Sequence, residues 1–141
     1  MNRQQLIQNV QRYFDEGRFA TDLRRRVAWR TESDTGKVPP ELRAYLTDEM
    51  VPWLTPLGFE CAVLDNPSPQ WGPFLVARRV QDPALPTVLS YGHGDVVNGQ
   101  DAQWREGLSP WELTIEGERW YGRGTADNKG QHTVSLAALA H

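Results

Sequence analysis

Two glycine-flanked stretches carry side chains suited to metal and water chemistry. One is Gly92-His93-Gly94-Asp95-Val96-Val97. The other is Tyr121-Gly122-Arg123-Gly124-Thr125-Ala126-Asp127-Asn128-Lys129-Gly130. A neutral imidazole is a good zinc ligand, which makes His93 a candidate. A ligating histidine usually gives its other N–H to a carboxylate, which fixes the tautomer and raises basicity. Asp95, two residues on, is spaced for that role. Asp127 offers a carboxylate whose two oxygens can span cations ~3.5–4 Å apart. Each feature also has a plainer reading. His-x-Asp describes a turn closed by a local hydrogen bond. A glycine-rich loop with a lysine before a helix can cradle phosphate, although 122–130 lacks the G-x-x-x-x-G-K-[ST] order. Arg123 and Lys129 read as surface charges, and His132 as a helix-surface residue.

These stretches need elements to hold them. Leu6, Ile7, Val10, Tyr13 and Phe14 follow a helical period, with Gly17 as a stop. Phe19, Leu23 and Val27 sit four apart on a second helix, and Arg24-Arg25-Arg26 between them reads as its solvated face. Residues 33–40 carry turn chemistry. Pro40 can open a third helix, along which Leu42, Tyr45, Leu46, Glu49, Trp53 and Leu57 recur. Pro52 should kink that helix or end it early, and Gly58 closes it. Residues 59–64, 74–80 and 86–91 then read as three short strands. The last is mostly apolar, as expected of an interior strand covered on both faces. It puts His93 and Asp95 just past a strand end, where open α/β sheets build their sites. Residues 111–115 and 119–121 read as a hairpin around Glu116-Gly117. Residues 131–141 read as a final apolar helix with no stop signal after it.

The chain has 141 residues, 39% of them hydrophobic and 23% charged, which suits one packed domain. A net charge of -3 gives no reason to expect nucleic acid as a partner. The first residues lack a secretory apolar run, and no stretch approaches ~18 consecutive apolar residues. No membrane partner is expected, and the expected location is the cytoplasm. Cys61 is the one cysteine. It excludes an internal disulfide and reads as a small buried hydrophobe.

Taken together, the motifs resemble those of the zinc metallopeptidase family of acetylornithine deacetylase, succinyl-diaminopimelate desuccinylase, aminoacylase, glutamate carboxypeptidase and carnosinase-type dipeptidases. The resemblance rests on the two stretches above and on Trp104 with Ser109-Pro110-Trp111 between them, in matching order and spacing. It implies an α/β fold: the N-terminal part of a three-layer αβα catalytic domain, with 1–141 an incomplete portion. The small lid domain, which commonly dimerises, would be absent. It implies two divalent ions, zinc first and cobalt or manganese as alternatives. His93 would bind one ion, Asp95 would orient His93, and Asp127 would bridge both ions and precede a cis peptide to Asn128. The general base and remaining ligands would lie downstream, so this chain alone would be inactive and poorly behaved. The implied reaction is hydrolysis of an amide or peptide bond in a small peptide or N-acyl amino acid. Asn98 and Trp111 depart from the usual proline and phenylalanine, both at loop positions. Asn128 is the residue of dipeptidase-like members. The rival readings are a non-catalytic domain that binds a ligand or partner, and a nucleotide-binding domain using 122–130.

Overall fold

The computed structural model describes residues 2–33 and 36–141. Of the expected turn over 33–40, Asp34 and Thr35 lie outside the described residues, as does Met1. The chain mixes helix and sheet and divides into two compact units. One is Met1–Trp29 with Gly99–His141, and the other is Arg30–Asn98.

In the first unit, α1 (Arg3–Asp15) opens on a reciprocal cap. Asn2 and Gln5 each accept the other's backbone N–H through their side chains, both at 2.9 Å. Gly17, with φ at 74°, separates α1 from α2 (Arg18–Val27). Leu23 and Val27 of α2 pack with Leu113 into a buried cluster, and Phe19 and Trp120 lie against it. Tyr13 is the buried residue of α1, whereas Leu6, Ile7 and Phe14 remain largely exposed. The hairpin forms as β3 (Thr114–Glu116) and β4 (Arg119–Tyr121), antiparallel, with Gly117 at φ 60° in the turn. Its first strand is shorter than the sequence pattern suggested. The last helix, α5 (Lys129–Ala140), starts two residues earlier than its apolar run.

One expectation for α2 is overturned. Arg24 and Arg25 do face solvent, but Arg26 is fully buried. Its Nη1 donates to Thr133 Oγ1 on α5 at 2.7 Å. A partner 107 positions away draws this charge inside, and no local pattern encodes that.

In the second unit, Pro40 takes the first position of α3 (Pro40–Ala44). The path then widens into a π-helical turn (Tyr45–Met50), continues as α4 (Val51–Leu54) and tightens into a 3-10 turn (Thr55–Leu57). The widening sits just ahead of Pro52, which cannot donate and whose ring crowds the carbonyl four residues back. The expected kink is thus taken up as a change of helical pitch. Gly58, at φ 83°, ends the run. Leu42, Tyr45, Met50, Leu54 and Val96 are the buried apolar side chains of this unit.

β1 (Glu60–Leu64) and β2 (Phe74–Arg78) pair antiparallel, with Ala62 opposite Val76 and Leu64 opposite Phe74. Cys61 is half-buried rather than buried, with its Sγ 3.9 Å from the Phe59 carbonyl. The third strand does not form. Residues 86–91 pair with no strand among the described residues, and Val88 and Leu89 are 89% and 93% exposed. A strand exists through its ladder partners, so an apolar pattern without them yields exposed chain.

Candidate metal-binding segments

Without a strand before it, the 92–97 stretch takes its shape from residues 31–33. Val96 N–H donates to the Thr31 carbonyl at 2.9 Å, and Ser33 N–H donates to the Val96 carbonyl at 3.0 Å. Glu32 and Val96 thereby form a parallel bridge. The Thr31 hydroxyl donates to the Gly94 carbonyl. Gly94 is needed for close approach: a Cβ there would lie 2.2 Å from Cε1 of Tyr45. Its neighbour must therefore be a ring wall and not a side chain of its own.

This frame brings His93 and Asp95 together. Asp95 Oδ1 lies 3.0 Å from His93 Nδ1, and the Asp95 carbonyl lies 3.1 Å from the same nitrogen. Asp95 Oδ2 accepts from the Ser33 hydroxyl at 2.7 Å. The carboxylate is held at both oxygens, one by the ring and one by the hydroxyl. An Nδ1–H facing two acceptors assigns the proton to Nδ1 and leaves the lone pair on Nε2. That is the donor arrangement a divalent cation takes from histidine, so His93 suits a metal by its chemistry. Thr31 and Ser33 were not singled out in the sequence. Their hydroxyls lie more than 60 positions away, beside turn-forming residues, and only the bridge reveals their part.

Asp127 belongs to the other unit, on an exposed part of the loop before α5. The loop is closed by its own backbone. Gly130 N–H donates to the Gly124 carbonyl at 3.0 Å, and Thr125 N–H to the Gly122 carbonyl at 3.3 Å. Thr125 Oγ1 also donates to Gly122 at 2.9 Å. Gly122 and Gly124 take φ values of 154° and 88°, which favour glycine. The Asp127–Asn128 peptide is cis, as the resemblance implied.

The Trp104 and Ser109-Pro110-Trp111 pieces brace this loop. Arg123 N–H donates to the Pro110 carbonyl at 2.7 Å. The Arg123 guanidinium lies over the Trp104 ring at 5.9 Å and reaches the Gly99 carbonyl at 3.4 Å. Trp104 Nε1 donates to the same carbonyl at 2.8 Å, and Trp111 Nε1 to Asp101 Oδ1 at 3.1 Å. Arg123 is therefore a partly buried strut of the loop.

Two further readings need correction. Lys129 is fully buried, with Nζ donating to the Trp29 carbonyl at 2.6 Å. His132 is buried as well, at 8% exposure. Neither is therefore a surface residue. The structure thus joins His93 with Asp95 in one unit and carries Asp127 in the other. Among the described residues, no group of three or more His, Cys, Asp or Glu side chains is arranged to hold a metal ion. No helix among them is long and apolar enough to cross a membrane.

Residues 89–141 match the profile of peptidase family M20/M25/M40. Over 96% of its length the chain is 35% identical to Beta-Ala-His dipeptidase of Mus musculus and spans 30% of that protein. It is 42% identical to succinyl-diaminopimelate desuccinylase of Alkalilimnicola ehrlichii, over 61% of this chain and 21% of that one. Its fold superposes on the crystal structure of human carnosine dipeptidase 1 with a TM-score of 0.80 and 29% identity, covering 97% of this chain and 30% of that one.

Proposed function

We propose that this chain, whose residues 89–141 belong to peptidase family M20/M25/M40, contributes metal ligands to an enzyme that hydrolyses the amide bond of a small peptide. The observation that carries the reading is the His93–Asp95 contact of 3.0 Å inside the matched segment. In this reading His93 would hold a divalent cation through its imidazole. Asp95 holds the ring in the right tautomer and orientation, and is itself held by Ser33. Asp127 would supply a carboxylate ligand. Bound cations of this kind polarise a carbonyl and lower the pKa of water. Zinc is the first candidate, and an imidazole-plus-carboxylate set also suits cobalt or manganese.

A dipeptide is favoured over an N-acyl amino acid by extent of similarity. Relatives matched along nearly the whole chain are dipeptidases, whereas the desuccinylase match covers 61% of it. The test is to assay the full-length protein on dipeptides and on N-acyl amino acids, before and after chelation. Dipeptide cleavage that a chelator removes and zinc, cobalt or manganese restores is expected. Chelator-resistant cleavage, or none on either substrate class, would sink the reading. Asp95→Ala is expected to weaken metal binding or turnover by ~10–100-fold, the usual cost of losing a ligand's outer partner. Dialysis against graded zinc buffers, followed by metal analysis, measures it. Unchanged affinity would remove Asp95 from this role.

A further inference from the structure

Lys129 is a fully buried cation on the first turn of α5, two residues past Asp127. Burying an ammonium strips its hydration, and an apolar side chain would fill the same space without that loss. Its Nζ reaches a main-chain carbonyl, that of Trp29, at 2.6 Å. That carbonyl lies just past the C-terminal end of α2, where the helix dipole favours a cation. One turn further along α5, Arg26 of α2 donates to Thr133 at 2.7 Å, and Thr133 Oγ1 returns a bond to the Lys129 carbonyl at 2.6 Å. Two buried cations therefore tie the two helices in register. The Asp127 loop is closed onto the same helix start by the Gly130-to-Gly124 bond of 3.0 Å.

We infer that Lys129 is a positioning residue: it pins the start of α5 to the end of α2 and thereby fixes the carboxylate of Asp127 for metal. The inference rests on the reading of Asp127 as a ligand. Arg26 reaches Thr133 one turn away from the loop, and Thr133 meets Lys129 only at its main-chain carbonyl, so these bonds hold the helix packing without engaging the Lys129 ammonium.

The experiment is zinc titration of the metal-free, full-length protein by calorimetry, beside thermal melting of each variant. Lys129→Met is expected to weaken zinc binding by ~10–100-fold, the range for an outer partner of a ligand. Lys129→Arg, which keeps a long donor, is expected to recover part of that loss. Thr133→Val is expected to lower the melting temperature while leaving zinc affinity at the wild-type value. Should Lys129→Met fail to fold, Lys129→Gln, polar but too short for the carbonyl, takes its place with the same expectation. Zinc affinity that follows melting temperature equally in Lys129→Met and Thr133→Val would make Lys129 structural only and overturn the inference. Asp127→Asn separates the two levels. If it loses zinc while Lys129→Met keeps wild-type affinity, only the inference falls. If Asp127→Asn itself binds zinc normally, the ligand reading falls and takes the inference with it.

Discussion

Asp127→Ala in the full-length protein is expected to abolish hydrolysis and strip bound metal. In the proposed reading Asp127 is itself a metal ligand, so its removal should exceed the ~10–100-fold cost of losing an outer partner. Asp127 is exposed, and it lies on a loop braced through Gly122, Gly124, Thr125, Gly130 and Arg123. Truncating it removes no buried apolar surface, so the fold should survive and its circular dichroism should match the wild type. Elemental analysis after dialysis, together with turnover on a dipeptide, decides the matter. A variant that keeps wild-type metal content and turnover would refute the assignment of Asp127 as a ligand.

Gly130→Ala should be the most disruptive small substitution in the first unit. A Cβ at this position would lie 1.8 Å from the Thr125 carbonyl oxygen and 2.8 Å from its carbon. Both atoms are backbone, so no rotamer change can relieve the contact. Either the helix start or the loop must move, at about 3 kcal/mol or more, the upper range for overpacking. Gly117→Ala is the informative control. That position has φ 60° and nothing within 4 Å, so its cost is left-handed strain alone, ~1–2 kcal/mol. Urea unfolding of the two variants measures the difference. Equal midpoints would mean that the 122–130 loop does not close on α5 as described.

Both predictions concern residues visible as a motif, yet the reasons for their size are not visible in the sequence. Local periodicity was enough for α1, α2 and the β3–β4 hairpin, because apolar spacing and glycine stops act over a few residues. His93 and Asp95 were legible for a similar reason: two positions separate them, and a carboxylate that close can reach the ring. Burial of Arg26, Lys129 and His132 was not legible. A charge goes inside only where a partner awaits it, and the partners of Arg26 and Lys129 lie 107 and 100 positions away. The 86–91 stretch failed the opposite way. Its composition is that of an interior strand, but composition cannot supply neighbours, and Val88 and Leu89 stand in solvent. Thr31 and Ser33 were missed because hydroxyls beside a turn look alike whether or not a carboxylate will come to them.

The first unit is assembled from two separated segments, Met1–Trp29 and Gly99–His141, with the second unit's residues between them. On the ribosome that order sets a schedule. Leu23 and Val27 emerge early, but Leu113, which completes their cluster, follows more than 80 residues later. At the usual ~5–20 residues per second the wait is on the order of 10 s, long against the microseconds in which α1 and α2 can form. The residues of the second unit, Arg30–Asn98, are made during that interval. The early helices must meanwhile hold an uncovered apolar face. A translation pause before residue 113 would lengthen the exposure, whereas a pause after Trp120 would come once the cluster can close.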